Sequence, residues 1–275
     1  MYKHNTPIYP NFLQLYIEIA MEILADENLG ELKALNNMLS YCKNKIESND
    51  KYMNEYKEEY KKISKLSKIV HYQYIKFTMK AKKASFPKSY WRVCETLLSY
   101  GDIIKFDLAL LDAGLACRDL GMKGNALIIL NRYLDVYDEI KDPENKVEDE
   151  PELKDTDFNF TQNAYKNTQN IINETEREEI HQWILNTGVE KGINKTLNKR
   201  KCPKCHKENF EANIKCHFCK QQFEQDIITG APMYPGDDCV SCSQCHSKGL
   251  KECWKEWVGL YQTCPNCNSV QMSYK

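Results

Sequence analysis

The chain lacks several features that would assign it at once to a broad class of protein. Its 275 residues carry 38 basic and 39 acidic side chains, so the net charge of -1 gives no overall attraction to nucleic acid or to a charged membrane. No apolar run approaches the roughly 20 residues that a bilayer-spanning helix needs. Acidic Glu18 and Glu22 come before any long apolar core develops, which is unlike a secretory signal. These absences predict a cytosolic protein.

The thirteen cysteines are distributed unevenly, and their positions argue against disulfide bonds. Ten of them follow residue 200, and eight of these form four Cys-x-x-Cys pairs. In a reducing compartment such pairs are typical of metal-bound thiolates. Cys42, Cys94 and Cys117 lie in helical patterns instead, and we expect them to be small buried side chains.

Helical periodicity dominates the first half of the chain. Residues 11–140 contain successive segments with apolar side chains at helical spacing, separated by breaks near Gly30, Gly101 and Gly121. Paired helices with short breaks predict an α-solenoid of the tetratricopeptide kind. The predicted fold class is therefore mostly α, with a solenoid of helical hairpins followed by a small α+β zinc-binding module.

Composition predicts how the chain is divided. Between Asp142 and Asp157 there are eight acidic residues against two lysines and almost no apolar side chains, which is typical of a solvated linker. The predicted parts are a helical solenoid at 1–141, an acidic polar linker at 142–173, a helix and basic linker at 174–200, a zinc ribbon at 201–225 and a zinc domain at 226–275.

The first predicted metal site consists of Cys202, Cys205, Cys216 and Cys219. Ten residues separate its two Cys-x-x-Cys pairs. Each pair fits a knuckle, a tight turn that points two thiolates at one ion, and two knuckles complete a tetrahedron. A short hairpin between the pairs would make a zinc ribbon. Zinc supplies the positive charge that four neighbouring thiolates require.

The second predicted site consists of Cys242, Cys245, Cys264 and Cys267. The eighteen residues between its pairs suit a four-cysteine zinc site. Cys239 competes with Cys245 for the partnership of Cys242, but choosing Cys239 would leave Cys245 unused. Cys253 is expected beneath a helix, and replacement of a ligand by Cys239 or Cys253 stays open. Four thiolates leave no open coordination position, so both zinc ions are predicted to be structural.

Part of the tail resembles a U-box or RING-like domain. Asp226–Met233, which reads Asp-Ile-Ile-Thr-Gly-Ala-Pro-Met, is similar to the first U-box loop, and Trp254–Trp257 is similar to the central helix. In ubiquitin ligases of this type three positions hold the conjugating enzyme. The matching residues here are Ile228, Trp257 and Pro265. Core packing is the competing interpretation of these side chains.

A longer resemblance extends upstream. Asn125–Asp135, Glu176–Leu185 and Ile227–Gly230 are similar to segments in the C-terminal region of the intraflagellar transport protein 172 family, in the same order and at comparable spacing. The resemblance covers about residues 100–270. It implies a structural subunit of complex B of the intraflagellar transport machinery, acting in the cilium through contacts with other transport subunits. Such subunits begin with β-propellers, so we expect a C-terminal fragment or a separately encoded piece.

Two other functions compete with this interpretation. The U-box resemblance allows a module that binds ubiquitin or recruits a conjugating enzyme, although Asn268-Ser269 stands where active ligases place a basic residue. Seven basic residues between Lys191 and Lys207 allow a nucleic-acid-binding ribbon, but few aromatic side chains accompany them. No catalytic constellation or phosphate-binding loop stands out, so an active site of its own is not expected.

Overall fold

The computed structural model describes residues 10–26, 28–142, 151–158 and 174–271. The chain divides into two compact units, Met1–Thr78 and Met79–Lys275. The described residues form nine α-helices and three short two-stranded sheets. The predicted fold class, mostly α with a small α+β tail, is confirmed. The domain boundaries drawn from composition stay predictions.

The first unit is helical. Its helices are α1 (Pro10–Asp26), α2 (Leu29–Glu47), α3 (Asp50–Glu55) and all but the last two residues of α4 (Lys57–Lys80). Asn28 and Asn49 begin α2 and α3, because their side-chain oxygens accept N–H groups of the first turn. The buried apolar side chains include Leu32, Leu35, Leu39, Ile46, Ile63, Leu66 and Ile69. Most lysines of α4 lie on its exposed face, whereas Lys76 is buried.

The second unit begins with a further group of helices. They are α5 (Pro87–Leu97), α6 (Phe106–Asp119), α7 (Lys123–Lys141) and α8 (Glu174–Gly188). Helices α6 and α7 form a hairpin that turns at Gly121, whose φ is 73°. A Cβ atom on Gly114 would lie 2.4 Å from Leu130 Cδ2, so the two helices approach closely there. In the part of the chain that the structure describes, no helix has the length and apolarity of a membrane span.

Three antiparallel hairpins and one helix make up the tail. The pairs are β1 (Lys199–Lys201) with β2 (Glu208–Phe210), β3 (Glu224–Gln225) with β4 (Pro232–Met233), and β5 (Cys239–Ser241) with β6 (Lys248–Leu250), and α9 (Lys251–Tyr261) follows. The first and third hairpins each enclose one Cys-x-x-Cys pair. The predicted hairpin between the two pairs of the ribbon is therefore wrong: the strands flank the first pair, since the tight turn at that pair reverses the chain.

Part of the predicted polar linker packs against the tail. Phe158 is buried and meets the ring of Phe210 edge-on, with 5.5 Å between the ring centres. The side chain of Asn213 hydrogen-bonds to the main chain of the same segment at 2.7 and 2.9 Å. The interpretation of 142–173 as a solvated linker is thus wrong for 151–158, where a few apolar side chains outweigh the acidic composition. The rest of that linker, beyond its first residue, lies outside the described residues.

Helix α9 packs on the start of α5 and fixes the tail against the helices of the second unit. Phe86, directly before α5, stacks on Tyr261 with 5.9 Å between ring centres and 9° between planes. Phe86, at the N-cap position of α5, makes no side-chain capping hydrogen bond. Glu256 of α9 caps this helix instead, because its carboxylate accepts the N–H of Ser89 at 3.0 Å.

A buried aspartate organises the loop between β3 and β4. The carboxylate of Asp226 accepts the N–H groups of Ile228 (3.2 Å), Thr229 (3.1 Å) and Leu250 (3.2 Å), and also the Thr229 hydroxyl. Burial raises the pKa of Asp226, and these hydrogen bonds oppose that rise. Through Leu250 the same side chain ties the loop to β6.

Replacing Asp226 by alanine is expected to destabilise the tail strongly. The change leaves three interior N–H groups without an acceptor, and each unsatisfied group costs about 1–3 kcal/mol. We therefore expect the free energy of unfolding to fall by about 3 kcal/mol or more. Urea denaturation followed by tryptophan fluorescence measures the change.

Asp238→Ala is the matched control, because it also removes a carboxylate from the tail. The Asp238 side chain is 74% exposed and pairs only with Lys251. We expect it to change the stability little. Equal losses in the two variants would contradict the organising role of Asp226.

Candidate metal centres

The structure brings together the four cysteines of the first predicted set. The Sγ atoms of Cys202, Cys205, Cys216 and Cys219 all lie within 4.8 Å of one another. Cys202 and Cys219 have their sulfurs 3.7 Å apart, as do Cys205 and Cys216. A tetrahedral zinc ion with Zn–S bonds of about 2.3 Å places its sulfurs about 3.8 Å apart. The donor set and its spacing therefore fit zinc.

The second predicted set also comes together. The Sγ atoms of Cys242, Cys245, Cys264 and Cys267 lie within 4.8 Å of one another. Sulfur distances of 3.7 Å join Cys242 to Cys267 and Cys245 to Cys264. Cys239 lies outside the set, exposed on β5 with its sulfur 3.7 Å from that of Met233. Cys253 lies on the buried face of α9, where Arg92 donates a hydrogen bond to its sulfur at 3.6 Å.

All four Cys-x-x-Cys pairs adopt the same local structure. Two main-chain hydrogen bonds define it, counted from the first cysteine of each pair. The carbonyl oxygen of this cysteine accepts the N–H of the residue four positions later at 2.9–3.0 Å. The N–H of the same cysteine donates to the carbonyl oxygen of the residue five positions later at 2.8–2.9 Å. The residue after the second cysteine has a left-handed backbone with φ of 57–59°. These residues are His206, Lys220, His246 and Asn268. The sequence offered only a weak signal for this turn, since none of the four is glycine.

Hydrogen-bond donors surround the second set and favour thiolate over thiol. Burial alone would raise the pKa of Cys242. The Ser269 hydroxyl and the backbone N–H groups of Cys245 and Gln244 outweigh burial and lower that pKa to about 6. The side chain of Gln271 adds a further donor, 3.4 Å from the Cys242 sulfur. Such outer donors orient metal ligands and stabilise their charge.

Within each set the thiols resist ionising together. Burial raises the pKa of Cys202, but backbone N–H groups lower it to about 7. A backbone N–H of Lys207 favours the Cys205 thiolate, yet burial and the neighbouring sulfurs raise the pKa of Cys205 to about 11. In the second set burial raises the pKa of Cys264. A dication among the four sulfurs would remove this conflict, and a four-sulfur set suits a soft ion such as zinc.

The structure buries all three residues that the U-box resemblance matched to conjugating-enzyme contacts. Ile228 is 0% exposed, Trp257 is 4% exposed, and Pro265 is also buried. The Trp257 indole donates to the carbonyl of Thr263 at 3.0 Å, and its ring lies 6.3 Å from that of Phe86. These contacts fit the core-packing interpretation. A role in binding ubiquitin or a conjugating enzyme stays a prediction.

Comparison with known proteins identifies relatives of one kind. No protein-family model matches the chain. It is 26% identical to intraflagellar transport protein 172 of Chlamydomonas reinhardtii, in an alignment that covers 96% of this chain and 15% of that protein. It is 23% identical to the intraflagellar transport protein 172 homolog of Homo sapiens, over 84% of this chain and 13% of that protein.

A third relative is intraflagellar transport protein osm-1 of Caenorhabditis elegans, 27% identical over 50% of this chain and 8% of that protein. The chain thus spans 15% or less of the length of these relatives. The predicted resemblance to the intraflagellar transport protein 172 family is confirmed.

The purified chain is expected to contain two zinc ions, measured by inductively coupled plasma mass spectrometry. Cys264→Ser should lose one ion and keep the ion of the first set, because the two sets share no ligand. Cys239→Ser is the matched control and should keep both ions. One ion or none in the wild-type chain would refute the assignment.

Proposed function

We propose that the chain is a structural subunit of the intraflagellar transport machinery, acting in the cilium through protein-protein contacts. The observation that carries the proposal is the similarity along 96% of the chain to a protein named for intraflagellar transport. Because the chain spans only 15% of that relative, the proposal concerns the contacts that this region makes. Other subunits of the same machinery are the proposed partners.

The chemistry of the two cysteine sets supports a structural role. Four thiolates fill a tetrahedral zinc site and leave no position for a water molecule or a substrate. Zinc bound in such sites contributes about 10–16 kcal/mol to the folding of small domains. The proposed cofactor is therefore two structural zinc ions that hold the tail in one conformation.

The attachment of the tail to α5 also supports a contact role. Phe86 and the Glu256–Ser89 hydrogen bond join α9 to α5, and Lys88 pairs with Glu252 at 2.8 Å beside them. A tail held in this way offers a partner one fixed surface, which lowers the entropy cost of binding. The chain's own Phe86 covers the ring of Trp257, which favours the contact role over the ligase alternative.

The basic stretch before the first cysteine pair gives little support to nucleic-acid binding. Arg200 pairs with Asp237 at 2.8 Å, and its guanidinium lies 4.2 Å from the ring centre of Tyr234. This guanidinium therefore already has a carboxylate partner within the chain. The pairing instead joins the β1–β2 hairpin to the segment before β5.

A tagged full-length chain is expected to recover other intraflagellar transport subunits from an extract of ciliated cells, identified by mass spectrometry. Cys264→Ser should recover fewer of them if the tail provides one of the contacts, because the second metal set then cannot close. Cys239→Ser controls for the loss of a cysteine and should behave as wild type. Recovery of no transport subunit above an unrelated bait would overturn the proposal.

A further inference from the structure

A cavity of about 640 Å³ lies between α5, the β1–β2 hairpin and the β6–α9 segment of the tail. Its volume falls within the range of about 300–1,000 Å³ that is typical of ligand pockets. Charged side chains dominate its walls. They are Arg92 and Glu95 from α5, Arg200 and Glu211 from the hairpin and its end, and Asp237, Asp238, Lys251, Glu252 and Lys255 from the tail.

Glu95 is the unusual member of this set. It is only 5% exposed, and it lines the cavity. Among the residues that the structure describes, none donates a hydrogen bond to its carboxyl group. Burial raises the pKa of Glu95 well above its ordinary value, the charge of Glu211 raises it further, and Arg92 opposes the rise. A buried carboxyl group without a donor is costly, so a ligand that supplies one would be stabilising.

Most other charged side chains of the cavity walls form ion pairs. Arg92 pairs with Glu252, Arg200 with Asp237 at 2.8 Å, and Lys251 with Asp238 at 2.8 Å. Glu211 accepts a hydrogen bond from Asn198 at 3.0 Å but forms no ion pair within the described ranges. Lys255 is exposed, in contact with solvent. Glu95 and Glu211 therefore line the cavity without an ion pair among the described residues, although the charges of Arg92 and Arg200 lie near them.

We propose that this cavity binds a guanidinium group, namely an arginine side chain of a partner polypeptide. A planar guanidinium presents five N–H donors and can serve the carboxylates of Glu95 and Glu211 together. A calcium ion would need about six to eight oxygen ligands, far more than two unmatched carboxylates provide. Because burial raises the pKa of Glu95, the carboxylate that pairs with a guanidinium forms at higher pH, so the affinity rises with pH.

The arginine-containing partner rests on the proposed assembly function, whereas the cavity can be tested alone. The probe is N-acetyl-arginine amide, titrated calorimetrically into the full zinc-loaded chain. N-acetyl-citrulline amide is its uncharged counterpart. We expect one arginine probe to bind per chain and the citrulline probe to bind at least about tenfold more weakly, since a charge-assisted hydrogen bond is lost.

Glu95→Gln and Glu211→Gln are each expected to weaken arginine binding at least about tenfold. Glu95→Gln keeps the shape of the protonated side chain, and unchanged zinc content shows that it folds. The variant should also lose the rise of affinity with pH. Glu208→Gln is the matched control, because Glu208 is exposed on β2 and lies outside the cavity.

The proposal is overturned if wild type fails to bind the arginine probe, if it binds the citrulline probe equally well, or if Glu95→Gln binds arginine as wild type does. Failure here leaves the recovery of transport subunits untouched. Arginine binding without any recovered subunit would instead contradict the assembly function and leave the cavity standing.

Discussion

The tail depends on the repulsion among closely held sulfur atoms and on the cation that would relieve it. Two sets of four sulfurs lie with pairs 3.7 Å apart, and thiolates at that distance cannot all be charged without a positive ion among them. The strand pairing contributes little, because the strands of the tail are only two or three residues long. All four cysteine pairs adopt the same turn, which directs the two sulfurs of each pair toward one metal position.

The same constraint extends into the helices. In sequence, the two cysteine pairs of the second set flank β6 and α9. A metal ion bound by all four cysteines therefore constrains both ends of the segment that contains α9. Glu256 on α9 then lies at the start of α5, whose N-cap residue makes no side-chain capping hydrogen bond. The wall of the charged cavity formed by Lys251 and Glu252 is positioned by the same helix. The second set of cysteines thus positions both the Glu256 cap and this part of the cavity wall through α9.

Spacing along the chain was enough to predict the two sets of four cysteines and the helical class, because both depend on neighbours in sequence. It also favoured Cys245 over Cys239 as the partner of Cys242. It could not predict that Phe158 is buried, because average acidity over a segment conceals single apolar contacts. Glu256 and Ser89, separated by 167 residues, meet only in the folded chain. The sequence likewise could not predict the burial of Glu95, because the residues that surround it in the cavity come from the distant tail.

The separation of 167 positions between Ser89 and Glu256 also has a consequence for biosynthesis. At about 5–20 residues per second, roughly 10–30 seconds pass between the emergence of α5 from the ribosome and that of α9. During this interval the first turn of α5 is uncapped and Phe86 has not yet met Tyr261. Until α9 has emerged, Phe86 lacks the aromatic partners that bury it in the folded chain.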